Sequence, residues 1–174
     1  YLVAQARAHG YSRVQFDLEP SCWAAAAADC GWPTADDARG YVGFLRDARA
    51  ALARGGTRLA VAAAGFPPTQ CSGGFAEAAA CAGAGAEYPA ACESGAWGVD
   101  ACNCCAYTTW FNASALCAPG VVDTVVNMDT YLHAPLNGTV FDAAMQYYVD
   151  AGCAPEAGKL AVGLLAAEAA NASE

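Results

Sequence analysis

Residues 11–20 read YSRVQFDLEP. Residues 13–18 alternate in side-chain character, which is the period of a β-strand. Pro20 closes the strand because it has no amide hydrogen for a ladder. The apolar run ends on two acids, Asp17 and Glu19, with Gln15 two residues earlier. Period-two geometry puts Gln15, Asp17 and Glu19 on one face. Carboxylates two residues apart along a strand stand about 6–7 Å apart, close enough to perturb each other. A raised Glu pKa beside a second carboxylate is what a general acid needs. The bland alternative is a strand end carrying solvated acids.

Outward from this strand, helices and strands alternate. Residues 1–9 have helical character, with Gly10 as the residue that ends the helix. A loop over 20–34 follows the strand. Thr34 is a candidate N-cap, and Asp36 and Asp37 suit the positive end of a helix over about 36–53. Gly55-Gly56 ends that helix, and 58–64 reads as a short buried strand. Residues 121–128 give another strand, about 139–151 a helix, and 159–165 a last strand. Strands alternating with helices indicate parallel βαβ units in an α/β fold. No strand leads into a glycine-rich phosphate loop, so a dinucleotide fingerprint is absent.

Residues 66–120 are different in kind. They hold seven of the ten Cys, at 71, 81, 92, 102, 104, 105 and 117, with little periodicity. They read as a Cys-rich, disulfide-bonded insert. Seven is odd, so complete pairing within the chain requires at least one bridge from insert to scaffold. If Cys22 pairs with Cys30, Cys153 is the anchor partner. Cys102-Asn103-Cys104-Cys105 suggests a metal cluster, but adjacent cysteines with sequons nearby read more readily as disulfides.

Composition excludes several classes. Eight basic residues against 17 acidic ones give a net charge of −9, without the basic footprint of a nucleic-acid binder. No apolar run reaches the roughly 18 residues of a membrane span. At 56% hydrophobic the 174-residue chain has ample core material, so it is not a disordered composition. Ten Cys and sequons at Asn112, Asn137 and Asn171 point to the secretory route and an extracellular location. The chain opens mid-pattern on Tyr1-Leu2-Val3-Ala4, which reads as a fragment or processed piece. Two isolated His, His9 and His133, give no metal site.

The stretch from Tyr11 to Glu19 resembles the fourth-strand signature of glycoside hydrolase family 18, the chitinase family, D-G-x-D-x-D-x-E. Asp17 and Glu19 match its last two acids, while Ser12, Arg13 and Gln15 replace the earlier Asp, Gly and Asp. Val125-Val-Asn-Met-Asp-Thr-Tyr131 resembles the sixth-strand pattern through Asn127 and Tyr131, with Asp129 in place of Met or Gln and Leu132 in place of a frequent Asp. Lys159-Leu-Ala-Val-Gly163 is similar to the seventh-strand K-L-x-x-G.

The resemblance implies a partial (β/α)8 TIM barrel, about strands four to seven. Residues 1–174 would then form a partial catalytic domain, carrying the insert over the catalytic face. It implies hydrolysis of β-1,4 bonds in an N-acetylglucosamine polysaccharide, with no cofactor. By resemblance Glu19 is the acid and Asp17 orients the substrate acetamido group. Tyr131 binds its carbonyl, and Gln15 and Asp129 line the cleft. Trp23, just after the catalytic strand, is the Trp placed to stack on a sugar; Trp32, Trp97 and Trp110 read rather as cover for the core or the disulfides.

Three other readings compete. One is a non-catalytic chitin-binding lectin, against which the retained Glu19 argues. Another is a two-carboxylate barrel glycosidase of another clan, since Leu18-Glu19-Pro20 resembles N-E-P and Glu168 is available as nucleophile; Leu18, however, stands where that clan needs Asn. The last is an extracellular disulfide-rich interaction module.

Overall fold

The computed structural model describes residues 1–20, 26–63, 88–128 and 138–163. In chain order the elements are α1 (Leu2–Ala8), β1 (Arg13–Phe16), a 3₁₀ turn (Ala27–Asp29), α2 (Ala35–Ala53) and β2 (Arg58–Ala63). Next come α3 (Tyr88–Glu93), α4 (Val99–Trp110), α5 (Ala113–Cys117) and β3 (Thr124–Asn127). The chain goes on through α6 (Gly138–Asp150), a 3₁₀ turn (Pro155–Ala157) and β4 (Leu160–Val162).

The termini of these elements follow from local chemistry. α1 ends where Gly10 takes φ +66, the left-handed region that side chains avoid. That turn lets the Tyr11 and Gly10 amides donate to the Ala6 and Arg7 carbonyls. α2 begins at Thr34, whose hydroxyl accepts from the Asp37 amide while the Asp37 carboxylate accepts from the Thr34 amide. The Thr34 hydroxyl also donates to Asp37 Oδ2 at 2.7 Å, and this bond, then the one from the Thr34 amide, holds the Asp37 carboxyl below its ordinary value. An Asp36–Arg39 ion pair lies on the exposed side of the first turn.

The four strands form one parallel sheet in the order β1-β2-β3-β4, so each pairs with the next in sequence. Parallel neighbours need crossover connections, which helices normally supply. The register aligns Phe16 with Val61, Val61 with Val125 and Val125 with Leu160. These residues face the helices and form the main core with Tyr41, Leu45 and Leu52 of α2, Phe111 and Leu116 of the Cys-rich region, and Tyr148 of α6. The alternate positions, Gln15, Ala60 and Thr124, therefore face the other side.

At the N-terminal ends of the strands a charged clamp closes the layer. Asp123 accepts from the Arg49 guanidinium at 2.8 Å and from the Leu59 amide at 2.9 Å. Lys159 donates to the Val122 carbonyl. Burial pushes the Lys159 pKa down, the Arg49 charge adds to that, and Asp123 opposes it. The clamp ties α2 to β2, β3 and β4 at the end of the sheet remote from Asp17 and Glu19.

The Cys-rich region departs from the sequence expectation. Its residues 88–117 form three helices, and α4 packs against α2. Phe111, Ala113, Leu116 and Cys117 enter the main core, so this part of the region is a crossover layer between β2 and β3 rather than an excursion. Its periodicity escapes notice because the buried positions of α4 are Ala101, Cys102, Cys105 and Ala106. Ala and Cys carry a weak hydropathic signal at any spacing.

A second, smaller core gathers Trp32, Cys92, Cys102, Cys105 and Ala106, with Trp97 against it. Cys92–Cys102 joins α3 to α4. Cys117–Cys153 joins the end of α5 to the residue two beyond Ala151, a bridge from the Cys-rich region to the scaffold. Cys30, Cys104 and Cys105 are also in disulfides, and no described cysteine is free. The expected partner of Cys30, Cys22, lies outside the described residues.

Candidate functional site

The ladder of β1 ends at Phe16, so Asp17, Leu18 and Glu19 stand just past the C-terminal end of the strand. Parallel α/β folds carry their chemistry at that end. Asp17 and Glu19 are both exposed, as is Gln15 on the side away from the helices. Val14 and Phe16 turn the other way, against the main core.

Two helices supply the surroundings. Tyr41 of α2 is only 5% exposed, and its hydroxyl has no hydrogen-bond partner among the described residues. Burial pushes its pKa up to about 12, with a smaller upward push from the Asp17 charge. Asp17 and the Tyr41 hydroxyl are therefore within electrostatic reach of each other. From α4 come Tyr107 and Trp110, three residues apart and so on one helix face. The Tyr107 hydroxyl donates to Glu19 Oε2 at 2.8 Å. The Trp110 indole Nε1–H donates to the Leu18 carbonyl at 3.0 Å. The Trp110 ring in turn stacks on Tyr41 at 4.5 Å and 16°.

This arrangement fixes a carboxylate by one oxygen and steadies the backbone beneath it. It places two carboxyls, Asp17 and Glu19, two residues apart at one exposed strand end, with Glu19 held by a phenol hydroxyl. Among the described residues no group of three or more His, Cys, Asp or Glu is placed to hold a metal ion.

Of the residues expected from the sequence, Gln15, Asp17 and Glu19 come together at the strand end. Trp23, Asp129, Tyr131, Leu132, His133 and Glu168 lie outside the described residues. Asn127 points to the helix side, where its amide donates to the Met145 sulfur at 3.5 Å, so it belongs to the core. Trp32 is buried in the disulfide cluster with Trp97 beside it, which is packing rather than a sugar platform. Asn112 of the first sequon is exposed and caps α5 by accepting from the Ala115 amide. Tyr41, Tyr107 and the role of Trp110 do not emerge from the sequence reading. The signal for the last two is their spacing on a helix whose presence the cysteines conceal.

Among the described residues no helix is long and apolar enough to cross a membrane. Comparison with protein-family models, with curated proteins and with solved structures finds no match to this chain.

Proposed function

We propose that the chain is the central part of a secreted glycosidase that cleaves β-1,4 bonds in N-acetylglucosamine-containing polysaccharide, chitin-type first. The observation that carries this reading is Glu19, held by Tyr107 at the C-terminal end of a parallel strand with Asp17 two residues before it. The sheet supports it as well. Sequential strand order without reversal is what a closing (β/α)8 barrel needs, whereas doubly wound sheets reverse order at a switch point. Four such strands are half of a barrel that takes roughly 250 residues. The disulfides suit an oxidising compartment.

In this reading the substrate provides its own nucleophile, as in the substrate-assisted exceptions to the two-carboxylate scheme. Glu19 gives its proton to the leaving glycosidic oxygen. The acetamido carbonyl oxygen of the substrate attacks the anomeric carbon, and an oxazolinium ion forms as the glycosidic bond breaks. Asp17 orients the acetamido group and offsets its positive charge. The Glu19 carboxylate then takes a proton from water as the water opens the ring, which restores the acid. Two inversions leave the configuration retained. Gln15, Asp129, Tyr131 and Trp23 are assigned to substrate binding, and no cofactor is called for.

The test is Glu19→Gln in the full-length protein. It keeps the shape and the contact with Tyr107 but has no proton to give. Loss of general acid–base catalysis should cut chito-oligosaccharide turnover by about 10²–10⁴-fold, with the melting temperature unchanged. A Glu19→Gln protein that still hydrolyses the oligosaccharide at the wild-type rate refutes the assignment. Binding without turnover by the wild type would favour a lectin instead.

A further inference from the structure

The Cys-rich region delivers two hydrogen-bond donors to consecutive residues of the strand end. Trp110 takes the Leu18 carbonyl, two residues past the end of the described ladder at Phe16. Tyr107 takes one oxygen of Glu19. Both donors sit one helical turn apart on α4. That helix is fastened below by Cys92–Cys102 and further by the bridges at Cys104 and Cys105. The opposite side of Trp110 is fixed by its stack on Tyr41. An exposed Glu side chain has three rotatable bonds and would otherwise sample several orientations. A misplacement of about 1 Å in a catalytic group costs on the order of 10²-fold in rate.

We propose that Tyr107 is the positioning residue of Glu19, and that the Cys-rich helix thereby completes the active site. The inference rests on Glu19 being the acid of the glycosidase reading. Tyr107 touches neither the glycosidic oxygen nor the anomeric carbon; it acts through Glu19 alone. Its hydroxyl donates to Oε2 whether Glu19 is protonated on Oε1 or ionised. One oxygen is thus kept as the anchor, and Oε1 carries the proton in both halves of the reaction. Oε1 gives its proton to the leaving oxygen in the first half and receives one from water in the second. Trp110 holds the Leu18 peptide, and so sets the origin of the Glu19 side chain.

The experiment uses the full-length protein, a chito-oligosaccharide substrate and a double-mutant cycle. Tyr107→Phe removes only the hydroxyl and should lower kcat about tenfold, with KM within about twofold of wild type. In the Glu19→Gln background the same substitution should cause no further loss, because the hydroxyl acts through the carboxylate. Trp110→Phe keeps the stack and loses the donor, and should lower kcat by a smaller factor. It serves as the second arm if Tyr107→Phe folds poorly. A kcat in Tyr107→Phe equal to wild type, or an equal further loss in the Glu19→Gln background, overturns the positioning role and leaves the glycosidase reading intact. A wild-type protein without turnover overturns the glycosidase reading, and the catalytic role of Tyr107 falls with it.

Discussion

The two cores of the molecule are held by different means. The main core, between the sheet and its helices, is built from Leu45, Leu52, Leu59, Val61, Phe111, Leu116, Val125 and Tyr148, all buried. Its side chains fill the layer, and burial of apolar surface stabilises it. Among the described residues the smaller core around Trp32 has one large buried side chain, and its other buried members are half-cystines and Ala106. These described members offer little apolar area to bury. A 12-residue helix such as α4 is marginal alone in water. Sulfur bridges supply what burial does not, by restricting the unfolded chain. Helix α4 is thus ordered by covalent links on one side and by the main core on the other. The residues it offers to Leu18 and Glu19 lie along that seam.

The bridges separate the two regions experimentally. In the chain-entropy account, removing Cys117–Cys153, which spans 36 residues, costs about 4 kcal/mol, and removing Cys92–Cys102, which spans 10, costs about 3 kcal/mol. The first loss falls on the main core and should appear as a lower denaturant midpoint for the whole protein. The second should loosen α3 and α4 first, read as faster amide exchange at residues 99–110 while β2 and β3 stay protected. Equal exchange in both regions after removing Cys92–Cys102 would show that the two cores unfold as one.

A smaller effect sharpens the seam itself. Tyr41→Phe removes a buried hydroxyl without a partner among the described residues, and should stabilise the protein by about 1 kcal/mol. It should also change the alkaline limb. The Tyr41 pKa is raised in the folded state from 10 to about 12, so the folded state holds the proton longer than the unfolded one. The stability linked to that proton is complete below pH 10 and is lost as pH rises toward 12. Denaturant melts across that window should show a shallower loss in Tyr41→Phe than in wild type. Tyr147, also raised by burial, stays as a common background to both proteins. Lys159 runs the other way, because its lowered pKa makes the unfolded state the stronger proton binder below its ordinary value.

The sheet was legible because its signals are local. Alternation from residue 13, the Thr34 cap and the Gly55-Gly56 stop each act within a few residues. The two acids at the strand end were legible for the same reason, since two carboxyls closing an apolar strand are visible in one line of sequence. Tyr107 and Trp110 were not, because their partners lie 88 and 92 residues away in the chain. Helix α4 was hidden as well, since its buried face is made of Ala and Cys. The Cys parity argument required a bridge out of the region, and Cys117–Cys153 is one. Only its partner's identity depended on an assumed pairing of Cys22 with Cys30.

In the proposed reaction Glu19 serves as acid and then base, and the nucleophile belongs to the substrate. The most direct measurement follows hydrolysis of a β-linked chito-oligosaccharide by the full-length protein with ¹H NMR, before the product anomers equilibrate. The β-anomer should appear first, because two displacements retain configuration. The α-anomer appearing first, or no product at all, would contradict the proposed reaction.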